Sequence, residues 1–169
     1  VGEHLIRAYW GDYVAVLPRG EDVALVRAPF GALPCLNIAA GGGQIAASDI
    51  DTLQLGLDDT QPFSLDHDAI VRQLIAGDLR CNTTCLTAVE ELRGGDRLTI
   101  AGGRVTRERL WSPWTFAGPA RRIDERAEAD RRLPDTAMNC VALRTGPPAP
   151  PPLLLSRGPD SSLVAAPLP

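Results

Sequence analysis

Seven residues near the C-terminal end, Ser156-Arg157-Gly158-Pro159-Asp160-Ser161-Ser162, carry the most concentrated chemistry in the chain. The apolar run Leu153-Leu154-Leu155 precedes them, and Leu163-Val164-Ala165-Ala166 follows. A strand, a loop of small polar residues and a helix start, in that order, make an anion site. Backbone N–H groups and the positive end of the helix converge on the loop, and serine hydroxyls add donors. Phosphate is the anion that suits such a loop. A Walker loop is excluded because no Gly-Lys-Ser/Thr is present. The alternative for the same residues is a plain polar loop.

Other reactive side chains are sparse. Four cysteines, Cys35, Cys81, Cys85 and Cys140, are too few and too scattered for a disulfide-stapled mini-domain. Cys81 and Cys85 lie four apart, yet the only histidines are His4 and His67, so no zinc set is expected and the cysteines read as reduced thiols. Cys35, following Pro34, reads as core packing. His67 sits between Asp66 and Asp68 and reads as an exposed neighbour of a helix cap rather than half of a catalytic dyad. Trp10, Trp111 and Trp114 read as core rather than a ligand platform. Asp58-Asp59, Arg121-Arg122 and Arg131-Arg132 read as solvated faces.

The elements that must position these residues are short. At 169 residues the chain supports one domain and at most the beginning of a second. Its net charge of −4 argues against a nucleic-acid partner, and no apolar run approaches the roughly 20 residues that cross a bilayer. A cytoplasmic protein is expected. The chain opens on Val1, its only methionine is Met138, and it stops at Pro169 just after a helix start. An internal piece of a longer protein is therefore expected.

Strands are predicted at Tyr9 to Leu17 and Val23 to Arg27, joined by a turn at Pro18 to Asp22. Two more are predicted at Cys35 to Ala39 and Gln44 to Ala47, so the four read as an antiparallel meander. Ser48-Asp49 caps a short helix through Leu53. A second helix is predicted from Asp66 to about Ala76, capped by Ser64 or Asp66, stopped by Gly77, with Ile70, Leu74 and Ile75 sharing one face. Leu98 to Ile100 and Val105 to Leu110 form a hairpin about Gly102-Gly103. Arg121 to Cys140 favours helix, with Pro134 expected to break it. Gly146 to Pro152 reads as a polyproline-like linker. The order points to an α+β fold.

The tail loop resembles the pyrophosphate loop of the ATP pyrophosphatase family, whose pattern is Ser-Gly-Gly-x-Asp-Ser-Ser. Ser156, Gly158, Asp160, Ser161 and Ser162 match, Arg157 stands in place of a glycine, and Pro159 occupies the variable position. Leu5 to Leu17 (LIRAYWGDYVAVL), Arg27 to Pro34 (RAPFGALP), Ala46 to Leu53 (AASDIDTL) and Val89 to Trp114 resemble, in order, segments of the class II glutamine amidotransferase domain of asparagine synthetases. Gly-Ala-Leu-Pro-Cys after Arg27, with Ala-Ser-Asp-Ile further on, is closest to the asparagine synthetase-like cyclases that close lasso-peptide rings. The resemblance covers residues 5 to 116, fades from Gly118 to Pro152, and returns at the tail loop.

The resemblance implies three parts: a partial Ntn-type amidotransferase domain of antiparallel sheets with helices at 1–116, a helix and Pro-rich linker at 117–152, and the first strand and loop of an α/β ATP pyrophosphatase domain at 153–169. It implies ATP as substrate with Mg²⁺ on its phosphates, held by Ser156, Gly158, Asp160, Ser161 and Ser162, with Leu155 against the nucleotide. The parent reaction would activate a carboxylate as an acyl-adenylate and form an amide, from aspartate in an asparagine synthase or from a precursor peptide in a macrolactam cyclase. The family's glutamine-hydrolysing nucleophile is a Cys at the very N-terminus, and none of the four cysteines here holds that place. Glutamine hydrolysis is therefore not expected of this chain, no catalytic residue is assigned, and a non-catalytic scaffold is the alternative from another class. Ala28 replaces the family's Asp beside Arg27, so loss of that ion pair is expected. An unrelated α+β domain is the remaining alternative.

Overall fold

A computed structural model of the chain describes residues 1–57, 63–77 and 81–145, together with 158, 161, 162 and 165. These divide into two compact units, Val1–Thr115 and Phe116–Pro169. The first is α+β with antiparallel sheets.

It opens on a short helix, α1 (Gly2–Ala8), with Glu3 in the first turn and Arg7 in the last, each suiting the helix dipole. Sequence pattern did not announce this helix. Its seven residues span only two turns, too few for a helical period to stand out. β1 (Val14–Arg19) and β2 (Asp22–Arg27) then form a hairpin, with Pro18 paired to Val23 inside the ladder. The strand predicted from Tyr9 therefore starts five residues later, and the turn shrinks to Gly20-Glu21. Pro18 is tolerated because β1 is an edge strand, where a missing N–H costs no ladder bond on the free side.

β3 (Leu36–Ala40) and β4 (Gly43–Ala47) form the next hairpin, followed by α2 (Ile50–Leu55) and α3 (His67–Ala76). β5 (Glu90–Glu91), β6 (Asp96–Ala101) and β7 (Arg104–Arg109) complete the unit. The strands do not form one meander. They divide into a four-stranded sheet, β1-β2-β6-β7, and a three-stranded sheet, β4-β3-β5, all antiparallel. The loop carrying Pro29, Gly31 and Pro34 separates the two hairpins, so β2 pairs with β6 instead of β3. Gly102 and Gly103 both take positive φ, +54° and +76°, as a two-residue hairpin turn requires.

Leu25, Cys35, Leu92 and Leu98 form the core, with Val14 and Val23 packed on it. Gly94 makes this closure possible, since a side chain there would collide with the backbone carbonyl of Pro29. Asp49 caps α2 by accepting from Thr52 N at 2.7 Å, and Asp66 caps α3 by accepting from Ala69 N at 2.8 Å. The apolar face of α3 is largely exposed. Leu74 and Ile75 are 79% and 82% exposed, Ile70 is half-buried, and Ala69 is the buried residue. Residues 81–86 face α3 across a cleft that Ala69, Arg72, Gln73, Ile75 and Ala76 line, and of these only Ala69 is buried.

The second unit is dominated by α4 (Arg126–Thr145), preceded by two single 3-10 turns at Pro113–Thr115 and Pro119–Arg121, the first of which closes unit one. α4 runs through Pro134 rather than breaking there. Pro134 removes one bond to the Asp130 carbonyl, and Asp130 is exposed, so water replaces it. Glu128–Arg132 and Arg126–Asp130 pairs brace the exposed turns at i, i+4. The predicted linker at 146–152 and strand at 153–155 lie outside the described residues, as do Asp58 and Asp59.

Candidate functional site

Of the six residues assigned to ATP, Leu155, Ser156 and Asp160 lie outside the described residues. Gly158, Ser161 and Ser162 are described. Ser161 and Ser162 are helical, and both hydroxyls donate to the Gly158 carbonyl, at 3.2 and 3.3 Å. Two side-chain hydroxyls therefore converge on one carbonyl, and each retains lone pairs for another donor. Gly158 contributes a carbonyl and Ser161 and Ser162 hydroxyls, so the described side of the loop offers oxygen ligands only, the donor class Mg²⁺ takes.

In the first unit the best-defined polar constellation is centred on Arg27. It is buried, and its Nη1 donates to Glu91 Oε1 and to the Leu92 carbonyl, both at 2.6 Å. The pair with position 28 is absent, since that residue is Ala28, and Arg27 takes its partner instead from β5, 64 positions along the chain. Local sequence could not reveal it, because the pairing depends on how the two sheets close. Arg107 extends the group through Glu90 at 2.8 Å. Asp96, on β6, is also buried, between Arg93 Nε at 3.4 Å and Arg109 Nε at 3.0 Å. Burial pushes the Asp96 carboxyl above the usual carboxylate range, and the Arg93 and Arg107 guanidiniums pull it partly back.

A raised acid binds its proton more tightly folded than unfolded, so its stabilising contribution is present at low pH and is lost as pH rises through the folded value. Asp96→Asn is expected to flatten that loss, so that stability falls less steeply above the ordinary carboxylate range than in the parent chain. Urea unfolding across a pH series checks it, and parallel curves would contradict it.

Cys35 is 3% exposed within the core, where burial pushes its thiol up. A buried, protonated sulfur packed against Leu25, Leu92 and Leu98 is structural. Two of the three tryptophans are not core: Trp10 and Trp114 are exposed, and Trp111 is half-buried. Phe30 lies 5.8 Å from Trp10 and 4.8 Å from Trp111, ring centre to ring centre. Trp10 precedes β1 and Trp114 follows β7, both beyond the strands, so the core reading fails for these two. His67 is exposed at the start of α3, beside the cap residue Asp66. Arg121-Arg122 and Arg131-Arg132 are exposed, and Arg121 lies over the Phe116 ring at 5.4 Å.

A cleft of about 620 Å³ lies between α3 and residues 81–86, lined by Arg72, Gln73, Cys81, Thr83, Cys85 and Glu91 among others. The Cys81/Cys85 spacing was visible in the sequence, but their convergence on one cleft was not. Among the described residues no group of three or more Cys, His, Asp or Glu could hold a metal, and no helix is long and apolar enough to cross a membrane. No family model matches the chain, and no curated protein does.

Proposed function

We propose that this chain is part of an asparagine synthetase-type protein that forms an amide through an acyl-adenylate. Residues 1–116 would be the later portion of its Ntn-type amidotransferase domain, and 153–169 the opening of its ATP domain. The observation that carries the reading is the motif order: four amidotransferase-like segments, then Ser156-Arg157-Gly158-Pro159-Asp160-Ser161-Ser162. Two structural features support it. The unit bearing those segments is α+β with antiparallel sheets, and Ser161 and Ser162 are helical.

In this reading the loop binds the pyrophosphate portion of ATP through backbone N–H groups and the Ser161 and Ser162 hydroxyls, which rotate from the Gly158 carbonyl toward phosphate oxygens. By the resemblance, Asp160 would be the residue that meets Mg²⁺, which would supply charge neutralisation. The attacking carboxylate displaces pyrophosphate from the α-phosphorus, and an amine then displaces AMP from the acyl carbon. Aspartate is the acyl substrate in the asparagine synthase reading, and a precursor peptide in the macrolactam cyclase reading.

A second reading, a non-catalytic scaffold, is favoured by two observations. Cys35 is packed in the core rather than available as a nucleophile, and Arg157 adds bulk where backbone should approach phosphate. Reading the gene through both flanks separates these. A nucleotide-binding domain continuing downstream, with a Cys after an initiator Met upstream, gives a glutamine-dependent synthetase. Continuation without that Cys gives the macrolactam cyclase or an ammonia-independent enzyme. Stop codons closing in on both sides overturn any catalytic role.

A further inference from the structure

We propose that Cys81 and Cys85 form a two-thiol redox site on the α3 cleft, at which Cys81 takes oxygen from a small hydroperoxide and Cys85 closes the pair to a disulfide. Both sulfurs line the same cleft, whose roughly 620 Å³ admits hydrogen peroxide or a small organic hydroperoxide with room to spare. Cys81 is exposed, and its Sγ lies 2.9 Å from the Thr83 hydroxyl, where either atom can donate, and donates to the Thr83 carbonyl at 3.7 Å; once the thiol is ionised the hydroxyl becomes its donor. The Arg72 guanidinium adds positive charge from α3, and together these hold the Cys81 thiol below its ordinary range. The thiolate is the form that attacks peroxide.

Cys85 is placed as the second thiol. Its Sγ donates to Gln73 Oε1 at 3.1 Å, one residue along α3 from the arginine beside Cys81. The intervening segment is pinned at both ends: Glu91 N donates to the Asn82 carbonyl at 2.7 Å and Asp66 N to the Cys85 carbonyl at 2.9 Å. The Thr84 hydroxyl adds a bond to the Val89 carbonyl at 2.8 Å. Among the described residues no third ligand joins the pair as a metal set.

The step balances. The Cys81 thiolate attacks one peroxide oxygen, the O–O bond breaks, and hydroxide leaves and is protonated to water, giving Cys81 sulfenic acid. Cys85 then attacks that sulfur, the S–S bond forms, and the sulfenyl oxygen leaves as a second water. Two thiols lose two electrons and two protons, and one hydroperoxide is reduced.

The test treats the full chain with stoichiometric hydrogen peroxide and follows the tryptic peptide from Cys81 to Arg93, which contains both thiols. Exposed Cys140 on α4 is the internal comparator. The expected result is loss of two hydrogens from that peptide, with Cys81 consumed on the order of tenfold faster than Cys140. In Cys85→Ser, Cys81 should stop at a sulfenic acid that a dimedone-type reagent captures. Thr83→Val should slow Cys81 several-fold while core Cys35 stays protected, which confirms that the fold is intact. Oxidation of Cys81 at the Cys140 rate would overturn the proposal, as would its progress to sulfinic acid while Cys85 remains reduced.

Discussion

Arg27→Met is expected to lower the unfolding free energy by about 3–5 kcal/mol, because it strands a largely buried carboxylate. The Arg27 side chain is 9% exposed and its Glu91 partner 18%, so water reaches neither freely. The substitution also leaves the Leu92 carbonyl without its 2.6 Å donor. Glu91→Leu should cost a similar amount, since it leaves the guanidinium buried with only that carbonyl. The double variant Arg27→Met/Glu91→Leu should be more stable than either single one, because no unpaired charge remains and the replacements are apolar. Urea unfolding of the four chains measures the coupling. Strictly additive costs would mean that the pair does not join β2 to β5 energetically.

Leu92→Ala is the second large effect, at about 2–5 kcal/mol for a fully buried leucine that leaves a cavity. Leu92 is 0% exposed and packs with Leu25, Cys35 and Leu98. Its backbone is engaged as well, with its N–H donating to the Cys35 carbonyl at 2.8 Å and its own carbonyl accepting from Arg27. The rigid frame around it prevents collapse of the void, which argues for the upper half of the range. Thermal unfolding and calorimetry would check it, and a loss under about 1 kcal/mol would show that the two sheets do not share this core.

Much of the local fold was legible because local chemistry specifies it. The Gly102-Gly103 turn, the Asp49 and Asp66 caps and the strands at β2, β4, β6 and β7 each depend on residues within a few positions. What was not legible depends on partners far along the chain. Arg27 finds Glu91 only when the sheets meet, and β2 chooses β6 over β3 for the same reason. Pro34 and Cys35 announced a buried thiol correctly, whereas Trp10 and Trp114 were misread because aromatic content alone does not say which side of a loop is covered. The apolar residues of α3 share a face, but burial needs a covering surface, and across the cleft from residues 81–86 only Ala69 is buried. The tail loop shows the opposite balance: the anion-site expectation rests on seven consecutive residues, and the structure adds only how Ser161 and Ser162 meet Gly158.

Calorimetric titration of the full chain with Mg·ATP tests the functional reading most directly. The account predicts weak saturable binding, with Kd on the order of 1 mM for a loop and helix start alone. It also predicts competition by pyrophosphate but not by adenosine, and loss of binding in Asp160→Ala. The absence of saturable binding at about ten times that concentration, or binding unchanged by Asp160→Ala, would contradict it.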